Sequence, residues 1–363
     1  MARPMSAASG RCTRTRKVDG RLRESASATI EGQGFLPLFH CLRPWRSEMA
    51  LSFVQPLAHG IHVIDTGFHR PLFDAAYLIV ENGRAAFVDT GTNFAVPRLL
   101  AALDDLGLAR DAVDYVIPTH VHLDHAGGAG LLMQALPKAT LLVHPRGARH
   151  MVDPQALYQG ALAVYGQAAM DREYGQLVPV PADRVRSPQD GETLHLAGRP
   201  LHFIDTPGHA RHHHCIWDAR SAGWFTGDTF GLSYRETDSA QGAWVLPTSS
   251  PVQFDPGPLR KSVERLLAMQ PQQMYLTHFG AVGDVQRLAD LLLLQVDAMV
   301  ALAEGLRGAP DRHAALKAGL ADQVRQQLRQ HGVADLDAAL ASLALDIELN
   351  AQGLGVWLDR DVR

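Results

Sequence analysis

The sequence predicts an α/β protein that ends in a helical region. Up to about residue 280, short apolar segments of strand length alternate with amphipathic segments of helical period. From Asp284 onward, apolar residues recur only at helical spacing. Hydrophobic residues make up 46% and charged residues 20% of the 363 residues, which is enough apolar material for a folded core. This composition excludes wholesale disorder and collagen-like repeats.

The predicted strands are short, and two of them form a hairpin around Asn82-Gly83, a strong turn signal. The predicted strands span residues 61–64, 76–80, 85–88, 115–117, 140–143, 193–196, 201–204, 215–218, 223–226 and 274–277. The predicted helices span residues 96–106, 130–136, 154–174 and 258–269. After these, Leu316, Leu320, Val324 and Leu328 predict one helix face, and Leu336, Leu340 and Leu343 predict the next.

Residues 1–48 differ from the rest of the chain. They carry nine basic and four acidic residues, a balance of +5, which leaves −9 on the remainder of a chain whose net charge is −4. The segment has no regular apolar period and no apolar stretch of signal-peptide length. We predict a disordered basic tail, which an over-long translation start with Met49 as the working first residue would explain; an organelle transit peptide is the alternative.

Charge and cysteine content narrow the class of protein and its compartment. Three cysteines do not make a disulfide scaffold and favour a reducing, cytoplasmic location. The most apolar stretch, residues 288–306, contains three acidic residues, so we expect no membrane span. The acidic charge outside the tail argues against a nucleic-acid partner. A small-molecule substrate is the expected partner, and a homodimer remains open.

Histidine is unusually frequent, and the histidines cluster. Eleven of the 18 lie between His120 and His214, and His120-Val121-His122-Leu123-Asp124-His125 follows a predicted strand. His120 and His122, two residues apart, point the same way and can share one metal ion, whereas Asp124 and His125 turn towards a neighbouring position. Imidazole nitrogen and carboxylate oxygen suit zinc, manganese or iron. The pattern therefore predicts a metal site.

The H-x-H-x-D-H motif resembles the signature of the metallo-β-lactamase superfamily, and four further motifs of that family follow in order. Val88-Asp89-Thr90-Gly91 is similar to the early Asp motif, and Thr206-Pro207-Gly208-His209 to the third-His motif. Thr226-Gly227-Asp228-Thr229 is similar to the bridging-Asp motif, and Thr277-His278-Phe279-Gly280 to the last-His motif. The resemblance covers roughly residues 61–280.

The resemblance implies a fold and a ligand set. The fold is a four-layer αββα sandwich, here with a helical insertion at about 154–174 in a catalytic domain of residues 49–283 and a helical C-terminal region of residues 284–363. His120, His122 and His209 would hold one divalent metal ion; Asp124, His125 and His278 would hold a second; Asp228 would bridge them. Two zinc ions are the expected cofactors, with iron or manganese as alternatives. Asp89 would lie behind these residues and orient either a ligand or the nucleophile.

The implied activity is hydrolysis of an activated acyl bond (thioester, lactone or ester) by a hydroxide that bridges the two metal ions. Asp228, where common zinc β-lactamases have Cys, favours the glyoxalase II and lactonase branches over true β-lactamases. Asp124 is the candidate proton shuttle. A mononuclear iron enzyme of the persulfide dioxygenase type and a metal-bound ligand sensor without turnover remain alternatives.

Other residues near these motifs are candidates for supporting roles. His213, four positions after His209, matches a second His of related motifs and is expected either to support the site or to be structural; His212 and His214 are expected to be strand-entry or surface residues. We expect the insertion to roof the site, and residues 247–251 to form a rim loop. Cationic residues in the C-terminal helices are spread out, which does not support glutathione recognition. The candidate substrate contacts are aromatic: Tyr158, Tyr165, Phe230, Tyr234 and Trp244. For Tyr158 and Tyr165, packing of the inserted helix onto the body is the equal alternative.

Overall fold

The computed structural model describes residues 51–360, and two mixed sheets form its centre. The first sheet contains, in spatial order, β1 (Val54–Pro56), β2 (Ile61–Asp65), β3 (Ala75–Glu81), β4 (Arg84–Val88), β5 (Val113–Ile117), β6 (Thr140–Leu142) and β7 (Val185–Arg186). The second contains, in chain order, β8 (Thr193–Leu196), β9 (Arg199–Asp205), β10 (His214–Asp218), β11 (Gly223–Gly227), β12 (Gln273–Leu276) and β13 (Gly280–Val282). The predicted tail, residues 1–48, lies outside the described residues.

Helices cover both sheets and form the C-terminal region. They are α1 (Val96–Asp105), α2 (Leu123–Ala126), α3 (Ala129–Ala135), α4 (Ala148–Val152), α5 (Gln155–Tyr165), α6 (Gln167–Ala169), α7 (Pro256–Leu267), α8 (Val285–Gly305), α9 (Arg312–His331), α10 (Leu336–Ser342) and α11 (Ala344–Arg360). Within residues 51–360, no helix combines the length and apolarity needed to cross a bilayer.

Alternation of side chains along the strands produces four layers. In β3, Tyr77 and Ile79 belong to the core between the two sheets, whereas Ala76 and Leu78 pack with α1 and α3 on the outside. In the second sheet, Phe225 faces inward and Trp224 packs outward with α7 and α8. A period of two therefore places one apolar set in the central core and the other beneath helices. The αββα sandwich predicted from the sequence is confirmed.

The Asn82-Gly83 hairpin is confirmed, but the predicted 154–174 helix is interrupted. Glu81 pairs with Arg84, and both turn residues have positive φ, as a two-residue primed turn requires. In the insertion, Gly166 (φ 78°, ψ 161°) ends α5, and the chain continues through α6 into one π-helical turn, Met170–Tyr174. The apolar pattern of this segment did not reveal the break.

Strand direction brings the carboxyl ends of several strands to one edge of the sandwich. β4 and β5 are parallel, as are β11 and β12, and β9 runs in the same direction as β11 because β10 is antiparallel to both. The residues that follow these strands include Asp89, His120, His209, Asp228 and His278. The fold thus gathers the five motifs, which are scattered through the sequence, at a single edge.

Candidate metal centre

Three imidazole nitrogens form the first group at this edge. His122 Nδ1 lies 2.8 Å from His120 Nε2 and 3.1 Å from His209 Nε2. Burial lowers the pKa of all three histidines, that of His122 to about 3, so they are neutral at physiological pH. Neutral imidazoles with converging nitrogens have the form that binds a divalent metal ion.

A second group combines two histidines with carboxylates. His278 Nε2 lies 3.3 Å from Asp124 Oδ2, and His125 Nε2 lies 3.7 Å from the same oxygen. Burial alone would lower the pKa of both histidines, but the facing carboxylates outweigh it and raise both, that of His278 to about 10. Burial likewise opposes ionisation of Asp124, but His125 and His278 hold its pKa below the usual range. In this group, the positive charges of His125 and His278 are therefore balanced by the negative charges of the neighbouring carboxylates.

Asp228 lies between the two groups and presents one oxygen to each. Its Oδ2 is 3.4 Å from His209 Nε2, while its Oδ1 is 3.2 Å from His125 Nε2 and 3.7 Å from His278 Nε2. Burial would raise the pKa of Asp228, but His125 and His209 hold it well below the usual range. The carboxylate is therefore ionised and positioned to bridge.

The donor set is of the kind that holds divalent metal ions. Across the described residues, three sets of ligand atoms lie within 4.8 Å of one another: His120, His122 and His209; His120, His125 and Asp228; Asp124, His125 and His278. Two of the atoms, His125 Nε2 and Asp228 Oδ1, are buried and face each other at 3.2 Å, but neither makes a hydrogen bond of good geometry with any described residue. Buried polar atoms of this kind call for a partner, which a cation supplies. All seven predicted ligands are thus brought together.

Asp89 lies behind the predicted ligands and contacts one of them, His125. Its carboxylate accepts hydrogen bonds from the Thr119 backbone N–H (2.7 Å), the Thr119 hydroxyl (3.0 Å), the Thr277 hydroxyl (2.7 Å) and His125 Nδ1 (2.9 Å). These bonds fix the His125 ring with Nε2 facing Asp228. Thr119 and Thr277 adjoin the predicted ligands but were not singled out from the sequence.

His213 supports the backbone of the bridging residue. Its Nε2 accepts a hydrogen bond from the Asp228 N–H (3.2 Å), and its Nδ1 lies 2.8 Å from the Thr206 hydroxyl. Burial keeps the pKa of His213 well below its usual range, so the ring is neutral. A Cβ added to Gly227 would lie 2.6 Å from His213 Nε2, which explains why glycine precedes Asp228. This geometry matches the alternative in which His213 supports the site, rather than the one in which it is only structural.

His212 and His214 flank His213 and contact the segment that carries His120. His214 begins β10, as the strand-entry alternative predicted, and its Nε2 lies 2.9 Å from the Pro118 carbonyl oxygen. His212 stacks on His120 at a ring distance of 6.1 Å. Both are buried, so the expectation that they could be surface residues is wrong. The chain segment that leads into β10 runs beneath the loop that carries His120 and His122. This loop covers the rings of His212 and His214.

Thr248 is a functional residue that sequence reasoning missed. Its hydroxyl lies 2.7 Å from His209 Nδ1 and so orients the ring whose Nε2 faces His122. Thr248 lies in the predicted rim loop, and Thr248 and Ser250 both line the cavity above the ligands. No motif spacing connects this threonine to His209. Its position in the predicted rim loop was the one feature of the sequence that pointed to a role at the site.

A cavity of about 100 Å³ opens onto the centre and is lined by Asp124, Asp228 and His278. The insertion contributes Tyr165, Glu173 and Tyr174, and α11 contributes Leu345, Asp346 and Leu349. Both helical additions therefore roof the site. The expected roofing role of the insertion agrees with this geometry.

Of the five aromatic residues predicted to contact substrate, Tyr165 lines the cavity. Phe230 is fully buried in the core beneath α7 and α8, and Trp244 is 1% exposed in the central core. Tyr234 lies behind the wall, stacked on Phe73 at 5.1 Å. Tyr158, on α5 within the insertion, packs against the central core, and its hydroxyl lies 3.4 Å from the Gln167 side chain. Packing thus removes Tyr158, Phe230, Tyr234 and Trp244 from the cavity wall.

The fold and the cluster of histidine and aspartate ligand atoms together define a candidate metal centre, and comparison with known proteins identifies the family. The family model of the metallo-beta-lactamase superfamily matches residues 69–273, so the chain belongs to that superfamily. It is 27% identical over 229 residues to the metallo-beta-lactamase fold-containing protein ST1585 of Sulfurisphaera tokodaii, covering 62% of this chain and 80% of that protein.

Two solved structures share the fold. The crystal structure of the archaeal protein ST1585 superimposes with a TM-score of 0.58 at 22% identity, covering 82% of this chain and 99% of that one. The metallo-beta-lactamase family protein TTHA1429 of Thermus thermophilus superimposes with a TM-score of 0.60 at 21% identity, covering 84% and 94%.

Proposed function

We propose that the protein is a dinuclear metal-dependent hydrolase that cleaves an activated acyl bond of a small, fairly apolar substrate. The observation that carries the proposal is the position of Asp228, whose two oxygens face two different ligand groups. A single metal ion would need only one of these groups. Thioesters, lactones and esters are the candidate bonds.

When bound, two divalent metal ions, most readily zinc, with iron or manganese as alternatives, supply an activated hydroxide and a Lewis acid for the acyl carbonyl. His120, His122 and His209 would hold one ion, Asp124, His125 and His278 the other, and Asp228 both. Asp124 is the ligand whose side chain is 26% exposed, more than the 7% of Asp228. It is therefore the residue best placed to pass a proton to a leaving group.

The residues around the centre support the glyoxalase II and lactonase type of hydrolase. A bridging aspartate stands where common zinc β-lactamases have cysteine, and Cys215 is a buried strand residue whose pKa is raised by burial to about 12. The cavity walls combine aromatic and aliphatic side chains with a small volume, which suits a compact apolar acyl group.

The Asp228→Ala variant tests this proposal. We expect it to lose metal at one or both positions and to lose hydrolysis of every active member of a panel of esters, lactones and thioesters. The Asp322→Ala variant removes an exposed carboxylate, 80% accessible, and is the matched control. Full metal content and full activity in Asp228→Ala would refute the dinuclear proposal.

Metal content and turnover of the wild-type protein separate the alternatives. One iron per chain would favour a persulfide dioxygenase-like oxidoreductase. Two metal ions without hydrolysis of any panel member would favour a ligand sensor. Two metal ions with acyl hydrolysis is the outcome that the proposal requires.

A further inference from the structure

Asp346 is a carboxylate in the cavity wall that the ligand set does not use. It lies near the start of α11, far along the chain from the five motifs, yet it lines the same cavity as Asp124, Asp228 and His278. The residue is only 9% exposed. An acidic side chain at such a depth needs partners for both oxygens.

One oxygen of Asp346 has a partner and the other does not. Oδ1 accepts a hydrogen bond from the Tyr234 hydroxyl (3.3 Å), and Oδ2 is buried without a hydrogen-bond partner among residues 51–360. Tyr234 is itself held by stacking on Phe73, so the carboxylate has a fixed orientation. An unpaired buried acceptor is costly unless a donor reaches it.

The surroundings of Asp346 set the pH above which it accepts hydrogen bonds with both oxygens. Burial raises its pKa to about 7, and His278 and Arg70 oppose that rise, so the side chain is ionised above this pH. Burial raises the pKa of Tyr234 well above its usual range, so the phenol remains a donor. The Arg70 guanidinium lies 4.5 Å from the centre of the Tyr234 ring and is paired with Glu236 (2.6 Å).

Apolar side chains lie beside Asp346, since Phe68, Phe73, Leu232, Leu345 and Leu349 line the same cavity. The cavity holds a second carboxylate away from the ligands, Glu173, but that side chain is paired with His69 (3.7 Å) and with Arg172. Asp346 Oδ2, which has no such partner among the described residues, is therefore the acceptor left to fix the orientation of a small ligand.

We propose that Asp346 is a specificity-determining residue, whose carboxylate accepts a hydrogen bond from a hydroxyl or ammonium group on the acyl part of the substrate. The inference rests on the proposed function, because it places the acyl group in this cavity. It narrows the substrate from a fairly apolar acyl compound to one that carries a hydrogen-bond donor a few bonds from the scissile carbonyl.

The test compares the 4-nitrophenyl esters of butanoate, 3-hydroxybutanoate and 3-aminobutanoate. The wild-type protein should favour a donor-bearing ester by about tenfold or more in kcat/KM, mainly through KM, as expected for a hydrogen bond to a charged group. The hydroxyl and ammonium esters show which donor is preferred. In Asp346→Leu the ratio of kcat/KM between the donor-bearing esters and the butanoate ester should fall to about one, with both proteins assayed at about pH 8 so that Asp346 is ionised in the wild type.

Two variants guard against a folding artefact. Because Asp346→Leu leaves the Tyr234 hydroxyl without its partner, the double variant Tyr234→Phe with Asp346→Leu removes both polar groups, and it should show the same loss of preference. Asp337→Asn, an exposed carboxylate on α10, is the matched control and should keep the wild-type preference.

Binding without turnover separates this inference from the proposed function. Calorimetric titration with butanoate and 3-hydroxybutanoate should show tighter binding of the hydroxy acid to the wild type but not to Asp346→Leu. If the wild type hydrolyses no ester, the proposed function fails, and the binding difference still decides the role of Asp346. Equal preference in the wild type and Asp346→Leu, in binding and in turnover, would overturn the inference.

Discussion

Asp89 shows how one carboxylate can fix a ligand set from behind. It is 1% exposed and accepts hydrogen bonds from three residues of the ligand loops, including His125. His213 and Thr248 act similarly on the Asp228 backbone and on His209. At the residue scale, the centre therefore depends on side chains that lie outside the ligand set.

The Asp89→Asn variant should bind metal about 10–100-fold more weakly, because the amide cannot accept all the hydrogen bonds that orient His125 and Thr119. Competition with a metal-chelating dye measures the affinity. The exposed Asp105→Asn on α1 serves as the control. An affinity equal to that of the wild type would show that Asp89 does not position the ligands.

The Thr248→Val variant should lower metal affinity by about tenfold at the position that His209 serves, because valine keeps the shape of threonine but not its hydroxyl. Thr248→Ser, which retains the hydroxyl, should bind metal as the wild type does. A stepwise metal titration that resolves two affinities is the measurement. Identical titrations for the valine and serine variants would contradict this account.

At the scale of elements, α11 and the rim loop are packed with almost no space between them. A Cβ added to Gly353 would lie 1.4 Å from the Ser249 carbonyl oxygen, whereas one added to Gly355 meets nothing within 4 Å. The Ser249 N–H and hydroxyl also bond to Asn350 on the same helix. The position of the rim loop, and with it that of Thr248, thus depends on α11.

The Gly353→Ala variant should lower the free energy of unfolding by about 1–3 kcal/mol, because the added methyl group forces α11 away from the rim loop. Gly355→Ala should be neutral or slightly stabilising, since alanine is the better helix former. Urea unfolding measures both. Equal stability of the two variants would show that the loop moves freely to accommodate the methyl group.

The sequence predicted local elements and motifs better than long-range contacts. The hairpin at Asn82-Gly83 and the face Leu316, Leu320, Val324 and Leu328 follow from turn chemistry and period, and both are present. The break at Gly166 carried too weak a local signal, because helices tolerate an isolated glycine in sequence. Asp346 reaches the site only through the packing of a distant helix, which no local pattern encodes.

At the scale of the whole molecule, a buried ion network joins the two sheets at the edge opposite the metal centre. Arg199 of β9 makes two hydrogen bonds to Asp218 (2.8 and 2.5 Å) and lies 3.6 Å from Glu81 at the end of β3. Arg199 and Asp218 are almost fully buried. The sandwich is thus held by polar contacts at one edge and uses the other edge for its ligands.

The Asp218→Asn variant should lower the free energy of unfolding at pH 7 by about 3 kcal/mol, because it leaves a buried arginine without its partner. Burial opposes ionisation of Asp218, but Arg199 and Ser221 outweigh it, so its pKa is lowered in the folded chain. The stabilisation is therefore complete above about pH 4, the unfolded pKa, and is lost as the pH falls through the folded pKa. Chemical unfolding of both proteins between pH 7 and pH 3 should show their difference shrink on acidification; a difference that grows would contradict this assignment.

The number of metal ions bound to the purified wild-type chain tests the central claim most directly. We expect elemental analysis to find two divalent ions per chain, because Asp228 presents its two oxygens to two separate groups of ligands. A single bound ion that saturates the protein, with no second site filled on adding excess metal, would contradict the dinuclear centre and the hydrolytic function built on it.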